Sequence, residues 1–436
     1  MSAAPPARSQ LLLYGALALP LSFAGLPLYL HAPDFYATAL MQPIAVLGGV
    51  LLALRILDAV QDPLIGVLSD RFSAHRLMIV IGGAALLLTG FAALFNPSVS
   101  PLPDGSTLAW FALSVFLCST GFSIVTINYQ ALGGLWNVPS GDRTRVTAVR
   151  EAFGLIGILT ASILPAVLLA NFDPLRSFAL LSLFLAPVFL IGVWLFHRWF
   201  RRQPSGPEGE KPAALASASG LTALLRDPWS RRFYGVFFIS NLASAVPAVL
   251  VLFYIRDRLA AEEYTGLFLV IYFLSGALCL PLWQKIAART GKAKAWAISM
   301  VLAVVTFLWA FTLSGGDVLP FAVICVLSGS ALGADLAIPP AIVADRIDAT
   351  RDQRRAARYF AANAFCAKSA FAFATGLSLP TLGLLGYQPG QPAEAGVGLS
   401  LALVYALVPC LIKVVSAIWL FRVLPVLEDR PRAALS

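Results

Sequence analysis

The sequence predicts an all-α integral membrane protein: twelve transmembrane helices in two pseudo-symmetric six-helix bundles. Three observations predict it. Of the 436 residues, 59% are hydrophobic and only 12% are charged, whereas soluble domains carry about 25% charged residues. Apolar runs of about 20 residues recur along the whole chain, the length needed to cross about 30 Å of hydrocarbon. The chain also echoes itself across one central polar stretch.

The spans are expected at 11–30, 40–68, 77–95, 107–135, 150–170, 177–196, 233–256, 262–286, 295–314, 318–344, 359–386 and 397–421. Several exceed the minimum length and are expected to tilt or to extend past the hydrocarbon. Between the sixth and seventh lies RRQPSGPEGEKPAALASASG (201–220), polar and rich in Pro, Gly, Ser and Ala, which reads as a flexible linker. The organisation is therefore an N-terminal bundle at 1–196, a linker at 197–232 and a C-terminal bundle at 233–436. The echo is positional. GVLSDRFSAHR (66–76) follows the second span and PLWQKIAARTGKAK (281–294) the eighth; GDRTR (141–145) follows the fourth and RDQRR (351–355) the tenth.

The charges orient the chain. Of its 31 Lys and Arg residues, 25 fall on one side of the spans, with Arg176, Arg256 and Arg258 on the other. By the positive-inside rule both termini are cytoplasmic. The net charge of +9 is thus explained by topology, and no nucleic-acid partner is implied. Cys118, Cys279, Cys325, Cys366 and Cys410 each sit in an apolar run, with no CxxC or Cys/His cluster, so neither a zinc site nor a disulfide framework is expected. The first apolar run lacks a small-residue cleavage site and reads as a membrane helix, not a removed signal. No HExxH, GxSxG or P-loop is present, so neither an enzyme nor a nucleotide-driven pump is expected.

Ionisable residues at membrane depth are expensive and usually face a cavity or one another. The second span, within RILDAVQDPLIGVLSDR (55–71), carries Arg55, Asp58 and Asp62; the tenth carries Asp335, the eleventh Lys368 and the twelfth Lys413. The spacing i, i+3, i+7 puts Arg55, Asp58 and Asp62 on one helix face. Two carboxylates one turn apart repel, and either a proton on one or Na⁺ between them relieves the repulsion. The alternative is packing: an acid paired only with Arg55 or Lys368. Gln61 points about 100° away from Asp62 along the helix. Pro63 removes a backbone N–H and marks a kink or break at this level.

Two six-helix repeats around a linker are the organisation of a major facilitator transporter, whose substrate site lies near the bilayer midplane. Gly66, Asp70 and Arg71 fit that superfamily's loop signature G-x-x-x-D-R-x-G-R-K in part, with Ser73 and Ala74 at the G-R positions and the base Arg76 one residue past its end; Gly66, Asp70, Arg71 and Arg76 read as a cytoplasmic gate. RILDAVQDPLIGVLSDR also resembles the R-x-x-D-x-x-x-D-P element of the glycoside–pentoside–hexuronide:cation symporters, the melibiose permease family. The resemblance continues through IVADRID (342–348), Lys368, Arg150 in AVREAFG and Asn241 in ISNLAS, and covers nearly the whole chain. It implies symport of a sugar with H⁺, Na⁺ or Li⁺, with the cation at Asp58 and Asp62, Lys368 close to them and Arg150 near the sugar. Galactoside-transporting members have acids where this sequence has Ser22 and Asn128, and a glutamate where it has Ala356 or Ala357. Fewer acids beside Arg150 and Lys368 suit an anionic solute such as a hexuronate.

The expected function is alternating-access symport of a sugar, glycoside or sugar acid with H⁺ or Na⁺; the alternative is proton-driven export, or transport of a drug-like, lipid-like or organic-anion solute. Asp58 and Asp62 are the cation site, Arg55 and Lys368 its charge partners. Ser22, Asn128, Arg150, Asn241 and Asp335 are the substrate candidates. Asp335 otherwise pairs with Lys413 or another base, and Lys413 is expected to snorkel toward the cytoplasm. Trp110, Trp136, Trp194, Trp199, Trp229 and Trp296 read as interfacial anchors. No cofactor and no metal beyond Na⁺ are expected. The protein is placed in a bacterial-type inner membrane, working as a monomer.

Overall fold

The computed structural model describes residues 5–101, 103, 106–203, 226–385 and 395–428. Most of the expected linker, 204–225, lies outside them. Every regular element among the described residues is a helix: α1 (Arg8–Gly15), α2 (Ala18–Leu26), α3 (Ala32–Thr38), α4 (Ile44–Arg71), α5 (Arg76–Phe95), α6 (Thr107–Gly134), α7 (Ser140–Leu169) and α8 (Pro174–Phe200), then α9 (Pro228–Phe253), α10 (Thr265–Thr290), α11 (Lys292–Ala310), α12 (Val318–Ala349), α13 (Ala356–Leu384), α14 (Ala395–Ala402) and α15 (Val408–Glu428). Short π-helical turns continue α2, α9 and α14. Ten stretches among the described residues are long and apolar enough to cross a membrane. The other two expected spans are α4 and α13, which carry Asp58, Asp62 and Lys368.

Contacts divide the chain into two compact units: Met1–Leu221 with Asp352–Ala364, and Thr222–Arg351 with Phe365–Ser436. The N-terminal end of α13 thus packs with the first unit. Within each unit, helices approach through residues without side chains, the device membrane proteins use where burial of apolar surface drives nothing. A Cβ on Gly121 of α6 would stand 2.4 Å from Leu87 N of α5, and one on Gly329 of α12 would stand 2.2 Å from Tyr272 O of α10.

α4 shows how the inside is sorted from the outside. Ile56, Val60, Leu64 and Leu68, four residues apart, are all more than half exposed, whereas Asp58, Asp62, Ile65 and Ser69 are buried. The helix carries its apolar stripe outward and its polar stripe inward, which suits lipid outside and protein inside. It also runs unbroken through Pro63 to Arg71, so the expected break is absent; neighbouring groups and local adjustment accommodate such prolines in membrane helices. α7 starts ten residues before the span expected there, with Asp142 in its first turn opposite the helix dipole.

Four expected interfacial tryptophans are buried instead: Trp136, Trp199, Trp229 and Trp296. Trp136 and Trp199 join Tyr14, Tyr129 and Phe196 in one aromatic cluster of the first unit, with Trp199 4.9 Å from Tyr14. Trp229 stacks on Phe233 beneath the Arg346 guanidinium. Their large area is used in helix packing. Trp194 is exposed, with Arg198 over its ring.

Candidate functional site

Asp58 of α4 faces α6. Asp62 is fully buried and Asp58 nearly so. Asp58 Oδ1 accepts from Gln61 Nε2 at 2.9 Å and from Ser123 Oγ at 3.1 Å. Thr120 Oγ1 in turn donates to Gln61 Oε1 at 3.0 Å. Gln61, set aside by its angle on the helix, therefore belongs to the site: its side chain is long enough to reach the residue three before it. Thr120 and Ser123 were not singled out from the sequence. The available signal was the run of hydroxyls in CSTGFS (118–123) within an apolar span. The assembled set is carboxylate, amide and hydroxyl oxygen, the hard donors that suit a hard monovalent cation; a carboxylate of the set also accepts a proton. Arg55 lies on the same helix and is partly buried.

One turn further, α4 meets the start of α13. Gly66 has no room for a side chain: its Cβ would stand 2.5 Å from Ala361 Cβ. Asp70 Oδ1 accepts from Ala357 N at 2.9 Å and Oδ2 from Arg358 N at 3.1 Å. These are first-turn N–H groups that the helix itself cannot satisfy, and a carboxylate there also meets the positive end of the dipole. Arg76 Nη2 donates to Asp70 Oδ1 at 2.7 Å, and the Arg358 guanidinium lies 3.3 Å from Oδ2. Gly66, Asp70 and Arg76 thus form one latch with α13, which Arg358, not foreseen from the sequence, completes. Arg71 is exposed beside Phe72.

The substrate candidates of the first unit do not form one cluster. Arg150 is buried on α7 and its guanidinium pairs with Glu151, Nε lying 2.9 Å from Oε1. Glu151 is an intramembrane acid the sequence reading passed over. It matches the charge of Arg150 and removes that residue from the case for an anionic solute. Ser22 sits against Gly154, one turn beyond Arg150 on α7. Asn128 is fully buried, and its amide donates to Ser69 Oγ and Ile124 O, both at 2.9 Å, which ties α6 to α4.

In the second unit, Asn241 donates to Phe237 O of its own helix at 2.8 Å, and Lys368 is partly buried on α13. Asp335 of α12 pairs with Lys413 of α15 at 2.6 Å. Lys413 Nζ also donates to Ser240 Oγ at 2.9 Å and Ser244 Oγ at 3.0 Å, and Asp335 Oδ1 accepts from Trp296 Nε1 at 2.8 Å. Lys413 is only 4% exposed, so it does not snorkel: its oxygen partners lie inside the unit. A cavity of ≈ 170 Å³ opens on the pair, walled by Tyr272, Phe273, Phe307, Phe321 and Tyr405 among others.

A family model described as MFS/sugar transport protein matches residues 11–426. The symporter YjmB of Bacillus subtilis is 25% identical over 383 residues, covering 83% of this chain and 81% of the relative. The human sodium-dependent lysophosphatidylcholine symporter 1 is 22% identical over 418 residues, covering 87% of this chain and 76% of the relative. Among solved structures, an outward-facing bacterial homologue of the iron transporter ferroportin superposes with a TM-score of 0.71 at 18% identity, over 94% of this chain and all of that one.

Proposed function

We propose, since the chain belongs to the MFS/sugar transport protein family and is a secondary symporter of the major facilitator fold, that it carries a sugar, glycoside or sugar acid together with H⁺ or Na⁺. The observation that carries the proposal is the α4–α6 site, where buried Asp58 accepts from Gln61 Nε2 and Ser123 Oγ, Thr120 donates to Gln61 Oε1, and buried Asp62 stands one turn along α4. Two carboxylates one turn apart on one buried helix face repel each other. A bound cation relieves that repulsion and lowers the cost of burying the site. Binding shifts a conformational equilibrium only through a difference in affinity between the two states, so a cation held better in the solute-competent state couples its own gradient to the solute. Arg55 and Lys368 are the charge partners of this step, and Ser22, Arg150 and Asn241 the solute candidates, whereas Asn128 ties α6 to α4 and Asp335 pairs with Lys413. The latch at Asp70 holds the start of α13 and releases it as the cytoplasmic gate opens. The protein works in a bacterial-type cytoplasmic membrane, as a monomer with both termini in the cytoplasm.

A non-sugar solute is the second reading. It is favoured by Ser22 and Asn128 standing where the resemblance places acids in galactoside-transporting members, and by the relative whose name specifies lysophosphatidylcholine. One experiment separates the two. Purified protein in proteoliposomes is given a panel of neutral sugars, hexuronates and amphiphiles under imposed H⁺ or Na⁺ gradients. Accumulation of a sugar or sugar acid under one gradient is the expected result; accumulation of amphiphiles alone replaces the sugar reading with the second.

A further inference from the structure

We propose that the cavity of the second unit is a binding site for a small apolar carboxylate, of the size of a single aromatic ring bearing one –COO⁻, and that each anion enters it with one proton taken up by Asp335. The site does not depend on the cation pair of α4.

Size and wall chemistry set the ligand's body. At ≈ 170 Å³ the cavity slightly exceeds the engineered apolar cavity of about 150 Å³ that binds benzene. The side chains around it are largely aromatic and aliphatic, including Tyr272, Phe273, Phe307 and Phe321. Beyond the charged pair, only the hydroxyls of Ser244, Ser328, Tyr272 and Tyr405 line the space, so a polyhydroxylated ring would leave part of its hydroxyls unpaired against aromatic and aliphatic walls, at a cost for each.

The charged pair sets the ligand's head. Asp335 and Lys413 both line the cavity, and together they are neutral, so neither a cation nor an anion is attracted while both stay charged. An anion gains Lys413 only if Asp335 gives up its charge; a cation gains Asp335 only if Lys413 does. The surroundings decide between these. Lys413 Nζ has oxygen acceptors on three sides, Ser240 Oγ, Ser244 Oγ and Asp335 Oδ2, which suits an ammonium with three protons to donate. Asp335 Oδ1 accepts from Trp296 Nε1, a bond that survives protonation of Oδ2. The Asp335 side chain is 20% exposed and that of Lys413 is 5% exposed, so the carboxylate is the member open to water and to its protons. The other titratable groups lining the space are Tyr272, Tyr405, Cys325 and Cys410, none of them charged in its ordinary state near neutral pH. The step is an exchange of partners. Asp335 Oδ2 forms an O–H bond with a proton from water, and the incoming carboxylate takes its place on Lys413 Nζ. No covalent bond to the ligand forms and nothing is oxidised.

Benzoate is the probe, with benzyl alcohol and benzylamine as its neutral and cationic controls. Binding to the purified full-length protein is measured by calorimetry at several pH values, in buffers of different ionisation enthalpy. The expected result is benzoate binding with uptake of about one proton, and affinity falling about tenfold per pH unit above neutrality, as one linked proton requires. Neither control binds comparably. Asp335→Asn is expected to bind benzoate without proton uptake and without pH dependence, and Lys413→Gln to lose it. Should Lys413→Gln not fold, the Asp335→Asn result decides. Equal binding of benzyl alcohol, a preference for benzylamine, absence of benzoate binding, proton-free binding by the unaltered protein, or pH-dependent binding by Asp335→Asn each overturns the proposal. None of these outcomes bears on gradient-driven uptake through Asp58 and Asp62, which the proteoliposome panel tests separately.

Discussion

In the first unit Asp58 and Asp62 stand one turn apart on a single helix, and Asp58 takes its hydrogen bonds from Gln61 and Ser123. In the second, Asp335 and Lys413 come from different helices and meet at 2.6 Å. Like charges fixed on one helix cannot move apart, and a mobile cation relieves them. Opposite charges on two helices are already neutral and hold α12 to α15. On the proposed reading the first arrangement exchanges an ion, whereas the second fastens two helices. Buried charge therefore has no single meaning in this molecule: sign and covalent spacing decide whether it couples or fastens.

The largest effect expected of a stability test is at the fastening pair. Lys413→Met strands the Asp335 carboxylate and is expected to cost about 3–5 kcal/mol, whereas the double change with Asp335→Leu recovers most of the loss, since a buried pair and its apolar isosteres differ little. Thermal unfolding in detergent measures both; equal losses in the single and double variants would break the comparison. The latch at Gly66 comes next. Gly66→Val forces a side chain onto Ala361 and is expected to cost about 1–3 kcal/mol, read as a lowered Tm together with slowed transport. An unchanged Tm would mean that α13 does not depend on this contact. The smallest effect is at the hydroxyl donor of the cation site. Ser123→Ala removes one hydrogen bond to Asp58 and is expected to raise the half-saturating cation concentration by up to about tenfold, at most ~1.4 kcal/mol. Titration of transport against H⁺ or Na⁺ reads it, and Tm is expected to stay within a few degrees.

The helices of both units were legible because apolar length is a local property. Asp58 and Asp62 were legible for the same reason: the two acids and their shared face lie within one run of residues. Groups whose meaning depends on distant partners were not. Thr120 and Ser123 are two hydroxyls among many in apolar helices, where such groups commonly bond a carbonyl of their own helix, as Ser119 does with Phe116. Only the packing of α6 on α4 brings Ser123 to Asp58 and Thr120 to Gln61. Trp296 reads from the sequence as an interfacial anchor, but its indole donates to Asp335, 39 residues away. Lys413 read as a snorkelling base because a sequence shows a long side chain's reach but not its acceptors. Glu151 was not legible because the sequence shows two adjacent charges, Arg150 and Glu151, but not that their side chains turn onto each other.

The central claim is that Asp58 and Asp62 couple the cation to the solute. Its most direct test compares gradient-driven accumulation with solute exchange at zero gradient, in proteoliposomes bearing the unaltered protein, Asp58→Asn or Asp62→Asn. Each variant is expected to lose accumulation by about tenfold or more, equivalent to at least about 1.4 kcal/mol of coupling, while keeping its fold and its exchange. Full gradient-driven accumulation by both variants would contradict the account.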